Sequence, residues 1–189
     1  MLDMGFYDDI MQIVKYLPKE RQTIMFSATM PAKIKLAVSR PADKIIQAAY
    51  ICYENQKLGI IHNLFSEEIP ERTIIFASSK IKVKEITKAL KKKNLNVEEM
   101  HSDLEQSQRE SVMLKFKSGK INILVATDIV ARGIDIDDIR LVINFDVPHD
   151  SEDYVHRIGR TARANHDGVA ITFVNEKEQS CFKNIEKFL

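Results

Sequence analysis

Short apolar runs alternate along the chain with segments whose apolar residues recur at helical spacing. Residues 74–76 and 123–126 are apolar at consecutive positions, a pattern typical of strands buried on both faces of a parallel sheet. The strands predicted in this way are residues 23–26, 45–53, 73–76, 96–100, 121–126, 141–144 and 169–173. This alternation predicts an α/β fold with a doubly wound, mostly parallel sheet flanked by helices.

The segments between the strands predict helices of about ten to fifteen residues. Ser102 and Glu105 have the spacing of a capping box, which predicts that one helix starts there. Two apolar stripes support the helices that follow the second and third strands of the main domain. The first stripe is Ile81, Ile86, Ala89 and Leu90, and the second is Val112, Leu114 and Phe116.

The composition is that of an ordinary globular protein, and it changes this picture little. The 189 residues are 44% hydrophobic and 29% charged, with a formal net charge of +1. Bulk charge therefore does not indicate a nucleic-acid partner, and such a partner must be sought in local patches. No apolar stretch is as long as a membrane span, and the first residues do not resemble a signal peptide. We therefore expect a cytoplasmic protein without a membrane partner.

Ligands of doubly wound sheets bind at the carboxyl ends of the strands, so the residues that follow each strand are the candidates for chemistry. The strongest cluster is Arg157, Arg160 and Arg163, which recur every three residues. Guanidinium groups match phosphate oxygens in geometry and charge, and an anion would relieve their mutual repulsion. The alternative is a solvated basic face, and the cluster alone favours neither interpretation.

A second candidate follows the apolar run that ends at residue 126. Thr127 offers a hydroxyl to a phosphate, and the carboxylate of Asp135 can accept a hydrogen bond from a ribose hydroxyl. The alternative is structural, with Asp128 capping a helix and Gly133 forming a turn. Asp135, Asp137 and Asp138 also suggest a metal-dependent phosphatase, although a turn explains them better because Ile136 intervenes.

Two further strand ends carry polar residues. Gln106 and Arg109 lie one turn apart near the predicted start of a helix, whose amides can hold a phosphate. Taken alone, this piece is better explained by an ordinary capped helix. Ser78 follows another strand, and the helix after it is rich in lysines that can attract a polyanion. Several of these lysines, including residues 91–93, are expected simply to face water.

A phosphate-binding P-loop of the form GxxxxGK[ST] is absent from the 189 residues. Nothing in the sequence can therefore cradle the β- and γ-phosphates of a nucleotide in the P-loop manner. We expect these residues alone to be unable to hydrolyse ATP.

Taken in order, these pieces resemble the second RecA-like domain of DEAD-box RNA helicases. The matching segments are 74–79 (motif IV), 106–109 (QxxR), 126–135 (motif V), 156–163 (motif VI), 27–29 (motif III) and 1–6, which resembles the stretch after the DEAD tetrapeptide. Within the family, the chain resembles bacterial RhlE-like members. The resemblance implies a remnant of a first RecA-like domain at 1–38, a linker at 39–44 and a second RecA-like, P-loop NTPase-like helicase domain at 45–189.

The resemblance also implies roles for individual residues. Arg160 and Arg163 would be arginine fingers for the γ-phosphate of ATP, and Asp135 would hold its ribose. His156 and Arg157 would couple this site to motif III, represented by Ser27 and Thr29. The RNA backbone would be contacted or supported by Ser78, His101, Ser102, Asp103, Gln106, Arg109, Thr127 and Asp128.

The implied cofactor is ATP with Mg²⁺, bound mainly by a first RecA-like domain in cis, and no metal ligand is expected in this chain. The implied partner is single-stranded or short duplex RNA, read with low sequence specificity because the contacts go to phosphate and 2′-hydroxyl groups. One departure from the family is the segment between Pro31 and Ser39, which is shorter than expected. The alternative function is a stand-alone RNA-binding or partner-docking module without catalysis.

Overall fold

A six-stranded sheet forms the centre of the fold. The computed structural model describes Gln12 and residues 45–66, 72–128, 139–161 and 168–189. The strands pair in the order β1-β6-β5-β2-β4-β3, and all five pairings are parallel. Their bounds are β1 Ile45–Ile51, β2 Thr73–Phe76, β3 Val97–Met100, β4 Ile123–Ala126, β5 Leu141–Asn144 and β6 Gly168–Val174. The predicted parallel sheet is confirmed.

Helices cover both faces of this sheet, as the doubly wound prediction required. A short 3₁₀ turn, Glu54–Gln56, precedes the first of them. The helices are α1 Lys57–Leu64, α2 Lys80–Lys91, α3 Gln106–Lys117, α4 Ser151–Ile158 and α5 Gln179–Phe188. Within the described ranges, none of them is both long and apolar enough to cross a membrane.

Alternate residues of the central strand β2 supply two separate cores, because successive side chains point to opposite faces of a sheet. Ile75 packs in the core that Ile86 of α2 joins, whereas Ile74 packs in the core that Phe116 of α3 joins. A third cluster lies around α4, α5 and β6 and includes Tyr154 and Ile185. Burial on both faces explains why the central strands are apolar at every position.

The register brings four neighbouring strands to an end at one level. Phe76 of β2 lies opposite Ala126 of β4 on one side and Asn144 of β5 on the other. Ala126 in turn lies opposite Met100 of β3. The turns that follow these four residues therefore share one edge of the sheet, where ligands of this fold class bind.

Some local predictions were wrong in detail. Helix α3 begins at Gln106 with Glu105 as its N-cap, not at Ser102. The cause is a turn in which the Leu104 amide donates to the His101 carbonyl. Ile81 and Leu114 are exposed although both were placed in apolar stripes. The predicted strand at 23–26 lies outside the described residues.

Candidate nucleic-acid interface at the carboxyl edge of the sheet

Most of the predicted site residues lie along one edge of the sheet, where four strands end at the same level. Ser78 follows β2, the turn at 101–103 follows β3, and Thr127 and Asp128 follow β4. Because β2, β4 and β3 are adjacent in the sheet, these turns are neighbours at a strand spacing of about 5 Å. The edge thus presents amides, hydroxyls and charged groups from several turns side by side.

Arg157, in the last turn of α4, joins α4 to the end of β4. Its Nε and Nη2 donate to the two carboxylate oxygens of Asp128 at 2.6 and 2.7 Å. Its Nη1 donates to Oδ1 of Asn144 at 3.2 Å and to the backbone carbonyl of Asp146 at 2.8 Å. The guanidinium lies over the ring of Phe76, 5.3 Å from its centroid. This two-pronged pairing fixes the orientation of both partners.

Burial decides what Arg157 can do in this arrangement. Only 3% of the residue is exposed, and the contacts just described occupy all three nitrogens of its guanidinium. The side chain therefore holds the elements of the edge together instead of reaching out to a ligand. Its predicted coupling role stays a prediction, and the same contacts orient Asp128, which was predicted to support the RNA track.

Arg160 lies beyond the end of α4, not within it. The helix ends at Ile158, and the Arg160 amide donates to the Arg157 carbonyl at 3.1 Å. The Nε of Arg160 donates to the carbonyl of His156 at 3.3 Å, and the side chain is partly exposed. Among the described residues, only Arg157 of the three spaced arginines is therefore helical, and Arg160 lies three positions after it.

The turn after β3 is tied to α2 by paired charges. Lys80 and Lys84 donate to the two oxygens of Asp103 at 2.8 and 2.9 Å. Hydrogen bonds from these two ammonium groups lower the pKa of Asp103 to about 2. Two of the lysines predicted to attract a polyanion are thus partly neutralised by a residue predicted to support the same RNA track.

The imidazole of His101 is buried, with 1% of the residue exposed. Its Nδ1 accepts a hydrogen bond from the Asp103 amide at 3.2 Å, and its Nε2 lies 3.4 Å from a carboxylate oxygen of Glu99. From α3, Arg109 donates to the Ser102 carbonyl at 3.1 Å. Both side chains therefore shape the turn, while Ser102 itself is exposed.

The remaining described members of the predicted track are nearer the surface. Gln106, the first residue of α3, is exposed and donates to Glu110 one turn later at 3.0 Å. Ser78 is exposed, and Thr127 is half-buried with its amide bonded to the Met100 carbonyl. The roles of all these residues in RNA binding stay predictions.

Sequence reasoning missed an ionic cluster around the buried Lys57 on the other half of the same edge. Lys57 is fully buried, and its Nζ lies 2.8 Å from Glu54, 3.1 Å from Glu178 and 3.5 Å from Asp146. Lys82 of α2 joins the cluster through Glu54 and Asp146. The rule that pointed to Asp128 could have found Asp146, which follows β5, and Glu178, which follows β6.

Four of the predicted site residues, Ser27, Thr29, Asp135 and Arg163, lie outside the described residues. So do Asp137 and Asp138, which together with Asp135 suggested a metal-dependent phosphatase. In the part of the chain that the structure describes, no group of three acidic, histidine or cysteine side chains is arranged to hold a metal ion.

Comparison with known protein families identifies the class to which this fold and edge belong. The profile described as "Helicase conserved C-terminal domain" matches residues 56–165. A second profile, "DEAD/DEAH box helicase", matches residues 1–37. The main domain is therefore a helicase C-terminal domain of the RecA-like class, and the chain belongs to the DEAD-box helicase family.

Curated relatives agree with this assignment. The ATP-dependent RNA helicase CshA of Listeria monocytogenes is 41% identical over 202 positions, which cover 99% of this chain and 39% of that protein. CshA of Geobacillus kaustophilus is 43% identical and is covered to 43%. The chain thus spans about two fifths of the length of these relatives. The alignments are longer than the chain, so the relatives contain residues that it lacks. The expected shortening of the segment between Pro31 and Ser39 stays a prediction.

Solved structures agree on the fold. Saccharomyces cerevisiae Dbp5 bound to RNA and ADP BeF3 superimposes with a TM-score of 0.85 at 29% identity, covering 100% of this chain and 54% of that one. A DEAD box protein from Methanococcus jannaschii gives a TM-score of 0.74 at 35% identity, with coverages of 100% and 55%. The RecA-like expectation is therefore confirmed, whereas the RhlE-like subgroup and the domain boundaries stay predictions.

Proposed function

We propose that this chain acts as the second RecA-like domain of an ATP-dependent RNA helicase. It would supply contacts to the RNA backbone and arginine fingers for RNA-stimulated ATP hydrolysis, which drives local separation of short duplexes. The observation that carries this proposal is the Arg157–Asp128 pair, because it joins the segment of the predicted fingers to the predicted RNA track. The names of the relatives, and the RNA in the Dbp5 structure, support the same substrates.

The chemistry of the edge suits an anionic ligand. Arg160 is partly exposed and follows a buried arginine whose position is fixed. A guanidinium placed in this way stabilises the negative charge that develops on a phosphoryl group during its transfer. ATP would supply that group, and Arg160 with Arg163 would meet it from across the gap between two domains. Mg²⁺ would be held mainly by the other RecA-like domain, as the resemblance to the family implies.

RNA binding would use the neighbouring turns after β2, β3 and β4. Exposed Ser78, Ser102 and Gln106 offer hydroxyl and amide groups to phosphate and 2′-hydroxyl groups. Contacts of this kind position a strand without reading its bases, so we expect low sequence specificity. Local unwinding would then follow when ATP and RNA together draw two RecA-like domains against one another.

The test is the substitution Arg160→Ala in the full-length protein. Loss of a charge-stabilising arginine should lower RNA-stimulated ATP turnover by about 10³-fold or more while ATP binding largely survives. Arg140→Ala is the matched control, because this exposed arginine directly precedes β5 at the opposite edge of the sheet. Unchanged turnover in Arg160→Ala would reject the finger assignment.

A second measurement separates this proposal from a stand-alone binding module. Residues 1–189 lack a P-loop, so we propose that they do not hydrolyse ATP even with RNA present. Tight, salt-dependent binding of single-stranded RNA by these residues alone, combined with a full-length protein that has no RNA-stimulated turnover, would favour the module instead.

A further inference from the structure

Asp146 lies where the ionic cluster around Lys57 meets the candidate interface. It follows β5 and is 2% exposed. One carboxylate oxygen, Oδ2, accepts a hydrogen bond from the backbone amide of Ser78 at 2.8 Å. The other, Oδ1, pairs with Lys82 at 2.5 Å and lies 3.5 Å from Lys57. The carboxylate thus connects the turn after β2 to the cluster.

The backbone of Asp146 makes a second connection. Its carbonyl accepts a hydrogen bond from Arg157 Nη1 at 2.8 Å, and Arg157 in turn holds Asp128. A single residue therefore contacts the turn that carries Ser78 and the arginine at the end of α4. These two pieces belong to different segments of the predicted site, and Asp146 contacts both of them.

The charge of Asp146 is maintained by its neighbours. Burial alone would raise the pKa of this carboxyl group, but hydrogen bonds from Lys82 and from Ser78 outweigh that effect and lower the pKa. The group is therefore ionised at neutral pH, and a carboxylate that accepts an amide hydrogen bond holds it more strongly than a neutral acceptor does.

The cluster does not depend on Asp146 for charge balance. Lys57 is also paired with Glu54 and Glu178, and Lys82 is also paired with Glu54. Two lysines would still face two glutamates if the charge of Asp146 were removed. Among the contacts of the carboxylate, the one to the Ser78 amide has no substitute in the cluster, so loss of the charge should affect position more than stability.

We propose that Asp146 is a positioning residue that fixes the Ser78 turn relative to Arg157 so that both sides of the interface engage the RNA backbone together. The proposal rests on the function proposed above and deepens it. Asp146 touches neither substrate nor nucleotide in this role. It acts through Ser78 and Arg157.

The substitution Asp146→Asn tests this role with little change in shape. The carboxamide has one acceptor oxygen, so it can serve the Ser78 amide or Lys82, and its NH₂ group then faces a second donor. In the full-length protein, the RNA concentration that half-maximally stimulates ATP turnover should rise about tenfold, as expected for one lost charged hydrogen bond. The KM for ATP should stay within about twofold of the wild-type value, since nucleotide contacts are unaffected.

Glu98→Gln is the matched control. Glu98 also pairs with two lysines, Lys91 and Lys115, but neither lysine belongs to the predicted site. This variant should leave both the RNA and the ATP dependence unchanged. If Asp146→Asn needs no more RNA than the wild type, or if its RNA and ATP dependences worsen equally, the positioning role is rejected.

Amide hydrogen exchange tests the same role without relying on ATP turnover. In the full-length protein, the Ser78 amide should exchange about tenfold faster in Asp146→Asn than in the wild type. An unchanged exchange rate would overturn the proposal even if catalysis were altered. A wild-type protein without RNA-stimulated turnover would instead reject the proposed function, and the exchange measurement would still decide whether Asp146 holds the turn.

Discussion

Arg157 donates to both carboxylate oxygens of Asp128, at 2.6 and 2.7 Å, from a position that is almost fully buried. The pair joins the last turn of α4 to the second residue after β4, and these two positions are 29 residues apart in the chain. Since Asn144 and the Asp146 carbonyl accept from the third nitrogen, the whole guanidinium is used within the domain. The planar fork, and not the positive charge alone, defines this arrangement.

Replacing the fork by an ammonium group should therefore be costly. We predict that Arg157→Lys lowers the free energy of unfolding by roughly 1–3 kcal/mol, because a lysine cannot serve Asp128, Asn144 and the Asp146 carbonyl together. Urea denaturation followed by circular dichroism measures this change. Lys91→Met, which breaks the exposed pair with Glu98, is the control and should cost less than about 1 kcal/mol. Equal losses in the two variants would contradict the importance of the fork.

Asp103 and its two lysines give a prediction about RNA affinity. Asp103→Asn should release Lys80 and Lys84, which then become available to phosphate groups. RNA binding should become tighter at low salt, and the slope of log K against log salt should steepen by about 1 to 2, one step per lysine that gains a phosphate. Titrations at several salt concentrations measure both quantities. Weaker binding with an unchanged slope would show instead that the Asp103 carboxylate itself contacts RNA.

The hydrophobic pattern predicted the central sheet well, because strands that are buried on both faces are apolar at nearly every position. The predicted strands 73–76 and 141–144 match the structure, and every residue in them is buried. The edge strand β1 is exposed over most of its length and was predicted two residues too long. Because neither face of β1 is well covered, its sequence does not alternate clearly between apolar and polar residues. The hydrophobic pattern therefore did not show where the strand ends.

The candidate site was predicted less completely, because its contacts join residues that are distant in sequence. The rule that ligands bind after strand ends found Thr127 and Asp128 correctly as members of this edge. It could not show that Arg157 would turn inward, since Asp128 lies 29 residues away and only the fold brings them together. Lys57 was missed for a related reason: a lysine in a helix usually faces water, and its three carboxylate partners come from separate turns.

The decrease in the free energy of unfolding at acidic pH should depend on Glu54. Burial would raise the pKa of this carboxyl group from its ordinary value of 4.5, but hydrogen bonds from Lys57, Lys82 and Asn175 lower it to about 2. A carboxyl group with a lowered pKa in the folded state stabilises the protein above the unfolded-state pKa. That contribution is lost as the pH falls from about 4.5 through about 2.

We therefore predict that Glu54→Gln flattens the loss of stability across this window. The variant should be less stable than the wild type at pH 7, and the difference between the two should shrink as the pH approaches 2. Urea midpoints measured at intervals between pH 7 and pH 2 test the prediction. Glu186→Gln, on the exposed side of α5, is the control and should follow the wild-type profile. Parallel curves for Glu54→Gln and the wild type would contradict the assignment.

Helix α2 offers a direct comparison of two isoleucines that the apolar pattern treated alike. Ile86 is 2% exposed and packs against the sheet, whereas Ile81 is 64% exposed. Ile86→Ala removes buried methyl and methylene groups and leaves a cavity, which should lower the free energy of unfolding by about 2–4 kcal/mol. Ile81→Ala should change it by no more than about 0.5 kcal/mol, since the side chain already faces water. Denaturant titration of both variants measures the contrast. A loss at Ile81 as large as that at Ile86 would show that another surface covers this part of α2.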